Sequence, residues 1–214
     1  MTGVGQRLQD RWTADTLALP ASEGDRSRIF RDLVASYSEV HRHYHTLAHI
    51  AAVFECLEEF RSTISNWTVV AFAVWYHDII YDTKRSDNEA LSSVRAKQEL
   101  ATLGMRNDDI AKVESLILAT ADHLGSVVEP DGDYFLDADF SILAAPAERY
   151  RAYSSEVRAE YGWVPESAWK AGRSQFLQKA AASPRIFRTE IFEIRFSEQA
   201  RANLAWELRE LSRG

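Results

Sequence analysis

Apolar side chains recur at helical spacing along almost the whole chain, and the alternating β-branched runs bounded by hairpin turns that mark strands are missing. That pattern restricts the fold to packed helices, because a helix buries side chains three and four positions apart whereas a strand buries every second one. The expected class is therefore all-α. With 214 residues, 46% of them hydrophobic, the chain can enclose a sizeable core. No linker, low-complexity run or repeat of solenoid period interrupts it, which predicts a single domain over residues 1–214.

Local signals place the helix ends. Residues 1–20 have the pattern of an amphipathic helix rather than of a leader. Asn66 precedes the apolar run 67–81, Asn107 precedes Asp108 and Asp109, and Ser197 precedes a final amphipathic stretch that ends near Ser212. Gly104 predicts the stop of a helix that begins after Ser86. Residues 124–134, rich in Gly, Pro and Asp, are expected to form a long irregular connection, and residues 162–165 a second break. The aromatics Tyr150, Tyr153, Tyr161, Trp163, Trp169 and Phe176 lie at helical spacing and are expected to fill core, with pocket lining as the alternative.

A formal charge of -7 argues against a nucleic-acid polymer or an anionic membrane as partner. No stretch reaches the roughly 20 apolar residues of a membrane span. The single cysteine, Cys56, lies in an apolar helical stretch and suits a packing role in a reducing compartment. The expected location is the cytoplasm.

Five of the six histidines fall in two short segments: His41, His43, His45 and His49 in HRHYHTLAHI, and His77 in WYHDIIYD. If helical, His45 and His49 share a face, where imidazoles can serve a metal or a substrate phosphate. His77 and Asp78 are adjacent inside the apolar helix read over 67–81, where a bare aspartate would be costly to bury and a divalent cation would offset the cost. The segment YFLDADFSIL offers one further carboxylate from either Asp137 or Asp139, which face different ways on a helix.

The order H, then HD, then D resembles the signature of the HD superfamily of metal-dependent phosphohydrolases, with YHTLAHI, WYHDIIYD and DADFSIL standing at its three motifs. The resemblance is strongest to a group of small bacterial proteins described as predicted phosphohydrolases of that superfamily. It implies a helical bundle in which His49 supplies the first metal ligand, His77 and Asp78 the paired ligands and Asp139 the last. Asp139 is preferred over Asp137 because the family's final aspartate directly precedes a residue like Phe140 and then a small one like Ser141. Similarity to the cyclic-nucleotide phosphodiesterase branch suggests His45 as a proton donor to the leaving group. His123 lies in the interval where two-metal members carry an additional ligand. A DNE-like segment after the HD pair is matched by Asp87, Asn88 and Glu89, which makes Glu89 a candidate base or water ligand.

The implied cofactor is one or two divalent ions per chain, drawn from Mn, Mg, Fe, Ni, Co or Zn. The implied substrate is a small phosphate ester or anhydride, nucleotides included, and the alternative is a regulatory module that senses a nucleotide without turning it over. Each assignment has a plainer competitor. Ser86 and Glu89 have the spacing of a capping box, His123 can answer a helix C-terminal dipole, and His45 can simply cap a helix. Lys84, Arg85 and Arg42 are candidate phosphate contacts or ordinary solvated cations, and His41 and His43 read as solvated.

Overall fold

A computed structural model describes residues 3–125 and 128–213. Among these the chain forms ten α-helices and no strand, as the apolar spacing predicts. Helix α1 (Gly3–Thr16) lies within the expected first helix, of which residues 1 and 2 are outside the described residues, and α2 (Glu23–Ser36) follows it. Then come α3 (Leu47–Glu58), α4 (Trp67–Tyr76), α5 (Asn88–Thr102) and α6 (Asn107–Ala119). After α7 (Pro130–Phe140), helices α8 (Ala147–Glu160), α9 (Glu166–Ala182) and α10 (Glu190–Ser212) complete the fold.

Helix α4 is the hub. Every residue of it from Val69 to Tyr76 is buried, and it packs against α3, α5, α6 and α7. A helix apolar on all sides belongs at the centre of a bundle. Trp75, fully buried, is fastened to α1 through an indole N–H donated to Asp15 at 3.0 Å, so truncating it would cost on the order of 3–5 kcal/mol. Around this hub one continuous hydrophobic core extends from Leu8 to Leu204.

The helix boundaries follow local chemistry in part. Asn66 caps α4 by accepting from the amide of Val69, as expected. Gly104 adopts φ +77 after α5, and the amides of Gly104 and Met105 bond back to the carbonyls of Ala101 and Leu100, the paired bonds of a Schellman ending. A Cβ there would also overlap Pro20, so glycine is required twice over. Three of the five prolines open helices, Pro130 at the first turn of α7 and Pro146 and Pro165 immediately before α8 and α9.

Other boundaries differ from the sequence reading. The run 67–81 is not one helix: α4 stops at Tyr76, and side chains take carbonyls at and just beyond its end. His77 Nδ1 takes the carbonyl of Val74, Tyr37 that of Trp75, and Arg42 those of Asp78 and Ile79. Asn107 is the first residue of α6 rather than its cap, and Arg106 precedes it. The last helix ends at Ser212 as expected but starts at Glu190, because Thr189 caps it from the amide of Phe192 and leaves Ser197 inside. The irregular stretch 124–134 is shorter than expected, since α7 begins at Pro130, and its residues 126 and 127 lie outside the described residues. Residues 162–165 do form the predicted break between α8 and α9.

Candidate metal centre

Three elements bring the centre together: the first turn of α3, the residue after α4 and the last turn of α7. Thr46 caps α3 from the amide of Ala48 and so sets the direction in which His49 leaves the helix. His77 follows α4, and its Nδ1–H donates to the carbonyl of Val74 at 3.0 Å, which leaves Nε2 facing the centre. His49 Nε2 and His77 Nε2 are 3.0 Å apart, and Asp139 Oδ1 is 3.1 Å from the first and 3.4 Å from the second. An ion about 2.1 Å from each of several donors holds neighbouring donors about 3 Å apart, so these spacings suit one divalent cation. His49, His77 and Asp139 are thus a group able to hold a metal ion.

Asp78 adjoins that group. Its Oδ2 is 3.1 Å from His77 Nε2 and 3.7 Å from His49 Nε2, on the side open to a cavity. His123 is placed differently: its Nε2 is 2.7 Å from Oδ2 of Asp139, the oxygen turned away from the other two histidines, and its ring stacks on Phe140. It therefore orients Asp139 from outside the three-donor group. His123 follows a 3-10 turn (Thr120–Asp122) that extends α6.

The electrostatics are those of a buried site with an excess of negative charge. Burial holds the pKa of His49 below the usual histidine value. Burial opposes charge on His77 too, but Asp78 and Asp139 outweigh it and draw its pKa well above that value. Asp139 and Asp78, although desolvated, are held below the ordinary carboxylate range by His77 and its neighbours.

His45 lies before α3 rather than in it, so it does not share a helical face with His49 as the spacing suggests. It is aimed by Glu160, which the sequence reading does not single out. One carboxylate oxygen of Glu160 accepts from the consecutive backbone amides of His43, Tyr44 and His45 at 2.8, 2.8 and 2.9 Å. The other contacts His45 Nδ1 at 2.7 Å and accepts from the Tyr81 hydroxyl at 2.9 Å. Tyr81 also stacks on the His45 ring, and His45 Nε2 comes within 4.0 Å of Asp78 Oδ2. Burial works against a charged His45, yet Asp78 and Glu160 raise its pKa above the usual value. Burial likewise works against Glu160, but the His45 ring and the amides bring it down to about 2. A buried acid at the end of α8 carries no local signal for such a role.

Arg42 is no substrate contact: it is buried, and its guanidinium is committed to Glu39 and to the carbonyls of His45, Asp78 and Ile79. Arg85 borders the cavity but is paired to Asp87 by two hydrogen bonds, and Lys84 sits over the Trp163 ring outside the cavity lining. Glu89 borders the cavity without forming the expected box with Ser86, because α5 begins at Asn88 with Asp87 before it. Asp137 is occupied elsewhere, accepting from the amides of Arg188 and Thr189 and from the Thr189 hydroxyl. His41 and His43 are exposed, as expected, and His41 Nε2 approaches the Tyr81 carbonyl.

The cavity has a volume of about 790 Å³ and is bordered at one end by His45, Asp78, His123 and Asp139. Much of the rest of its lining is aromatic. Tyr153, Tyr161, Trp163, Trp169 and Phe176 line it, so of the six aromatics expected to fill core only Tyr150 does so alone. Among the described residues, no helix is long and apolar enough to cross a membrane. No protein-family model, characterised protein or solved structure matches the chain.

Proposed function

We propose that the protein is a metal-dependent phosphohydrolase acting on a small phosphate ester or anhydride. The observation that carries this reading is the convergence of His49, His77 and Asp139 on one point, with Asp78 beside them, at the end of a cavity large enough for a small organic molecule. The resemblance to the HD superfamily supports it, since the same four residues stand at that signature's ligand positions.

His49, His77, Asp78 and Asp139 would hold a divalent cation. Such an ion supplies positive charge to a phosphoryl oxygen and acidifies water at neutral pH. The chain's own groups do the rest. Val74 fixes the ring of His77, and His123 fixes the second oxygen of Asp139, so the donors are oriented in advance. Glu160 takes the Nδ1 proton of His45 and points Nε2 toward the cavity, where a proton on Nε2 can be passed to the departing oxygen. Tyr81 holds Glu160 and shields the opposite face of the His45 ring. The aromatic wall excludes water and receives the organic part of the substrate.

The test is Asp78→Ala assayed beside the wild type, with Mn²⁺, Mg²⁺, Fe²⁺, Ni²⁺, Co²⁺ and Zn²⁺, on a chromogenic phosphodiester, phosphomonoesters and a nucleotide panel. Metal-dependent turnover by the wild type and a loss of about 10³-fold in the variant, roughly 4 kcal/mol of barrier, are expected. Full activity in Asp78→Ala, or turnover indifferent to metal, overturns the reading.

A further inference from the structure

The cavity lining also carries a second set of polar groups that the hydrolytic chemistry leaves unused. Arg173 on α9 is buried, yet it borders the cavity, with its guanidinium over the rings of Tyr153 and Phe176 at 5.2 and 5.0 Å. Glu207 takes its Nε at 2.8 Å and its Nη2 at 3.1 Å, so the plane of the guanidinium is fixed. Glu207 is otherwise satisfied by the hydroxyls of Tyr150 and Ser154. The remaining nitrogen, Nη1, has the Tyr153 hydroxyl at 3.4 Å, the long limit of a hydrogen bond. In that contact the Tyr153 oxygen is the acceptor, and no described residue accepts its proton. Tyr153 is itself buried and borders the same cavity.

Two buried donors with unspent capacity therefore stand side by side on the cavity wall. The ion pair with Glu207 uses Nε and Nη2 of Arg173 and neither of these two groups. Donors 3.4 Å apart can share one oxygen at normal hydrogen-bond distance from both, or take the two oxygens of a carboxylate. Because Glu207 already balances the charge of Arg173, the pair suits an acceptor that is neutral or singly charged, and the flanking ring faces suit a planar one. Tyr44 links this pair to the candidate metal centre: its ring contacts those of His49 and Tyr153 at 4.9 and 4.7 Å.

We infer that Tyr153 and Arg173 form a specificity subsite for a planar oxygen acceptor, a carboxylate or amide carbonyl, on the organic part of a ligand whose phosphoryl group lies at the histidine and aspartate end. The identity of the phosphoryl end rests on the proposed function; the acceptor site rests on Tyr153 and Arg173 alone.

Non-hydrolysable alkyl phosphonates of two to five methylenes, ending in a carboxylate, an amide or a methyl group, separate the two. Their binding to the Mn²⁺-loaded protein is measured by calorimetry. At the best-fitting length, the carboxylate or the amide should bind at least about tenfold tighter than the methyl-ended compound, and whichever of the two leads names the natural acceptor. That ratio should fall toward one in Tyr153→Phe, which keeps the ring contacts and loses only the hydroxyl, and in Arg173→Lys. Should Arg173→Lys fail to fold, Tyr153→Phe decides alone. Equal affinities for all three ends at every length, or a ratio unmoved by Tyr153→Phe, overturns the subsite. If esters are hydrolysed while the phosphonates show no preference, only the subsite fails; a preference in a protein that hydrolyses no ester leaves the subsite standing and removes the hydrolase reading.

Discussion

Glu207 and Asp139 are both enclosed by protein, but the structure surrounds them in opposite ways. Glu207 receives two N–H groups from Arg173 and the hydroxyls of Tyr150 and Ser154, donors that stay donors at any physiological pH. Asp139 faces the ring nitrogens of His49, His77 and His123, each of which offers a proton or a lone pair according to its state. The first carboxylate is closed: every oxygen is answered and nothing further can enter. The second is poised, because its neighbours can surrender protons and turn their lone pairs to a cation. Asp137 belongs with Glu207, and so does the oxygen of Glu160 that takes three backbone amides, while its other oxygen meets the His45 ring and the Tyr81 hydroxyl. What marks a ligand set, then, is which carboxylates have partners able to change role, and burial alone does not separate the two kinds.

The contrast can be broken most forcefully at the closed site. Glu207→Ala should cost about 3–5 kcal/mol in denaturant unfolding by leaving Arg173 buried without its counter-charge, and pairing Arg173→Met with Glu207→Leu should recover most of that. No loss in the single variant would mean that the pair is not closed. Next in size is the response to metal. A divalent ion at 100 times its Kd should stabilise the wild type by about 2.7 kcal/mol in thermal melts and should do nothing for His49→Ala, while Glu207→Gln keeps the shift. Equal shifts in both variants would erase the distinction between the two carboxylate environments.

Acid sharpens the comparison further. The pKa of Glu160 is depressed in the folded protein to about 2, so its stabilisation is complete above the ordinary glutamate value and is lost as pH falls from there toward 2. Wild type should therefore lose roughly 2 kcal/mol more than Glu160→Gln over that interval, read from melting temperatures at matched ionic strength. Parallel pH curves would remove Glu160 from the closed group. The smallest effect is expected at Asp137→Asn, about 1 kcal/mol of stability and less than a threefold change in turnover, because its partners belong to the cap of α10. A large loss of activity there would show that Asp137, rather than Asp139, serves the centre.

The helical class was legible because side-chain period is a local property, and so were Asn66 and Gly104, whose chemistry acts within one turn. Ser197 and the Ser86 and Glu89 pair show where local reading ends. Both have plausible capping chemistry, but Thr189 caps its helix eight residues earlier and Asp87 stands at the cap position in place of Ser86. The segments LAHI, WYHDIIYD and DADFSIL held the candidates His49, His77 and Asp139, which the structure brings together, although helix period alone made 67–81 one uninterrupted helix. Glu160 and Arg173 were invisible for a different reason. Glu160 meets residues 115 to 117 positions away, and Arg173 is defined by Glu207 34 positions away, so neither has a neighbour in sequence that reveals its use.

The clasp between Glu160 and the amides of His43, Tyr44 and His45 also sets an order on biosynthesis. A ribosome has added every proposed metal donor once residue 139 is made, yet the strand of backbone that carries His45 stays unanchored until α8 has been translated and has docked. Contacts of such long sequence separation form late, after their loop-closure entropy has been met by other packing. The nascent chain thus carries all four proposed metal donors before the segment with His45, the proposed proton donor, can be anchored by the C-terminal third.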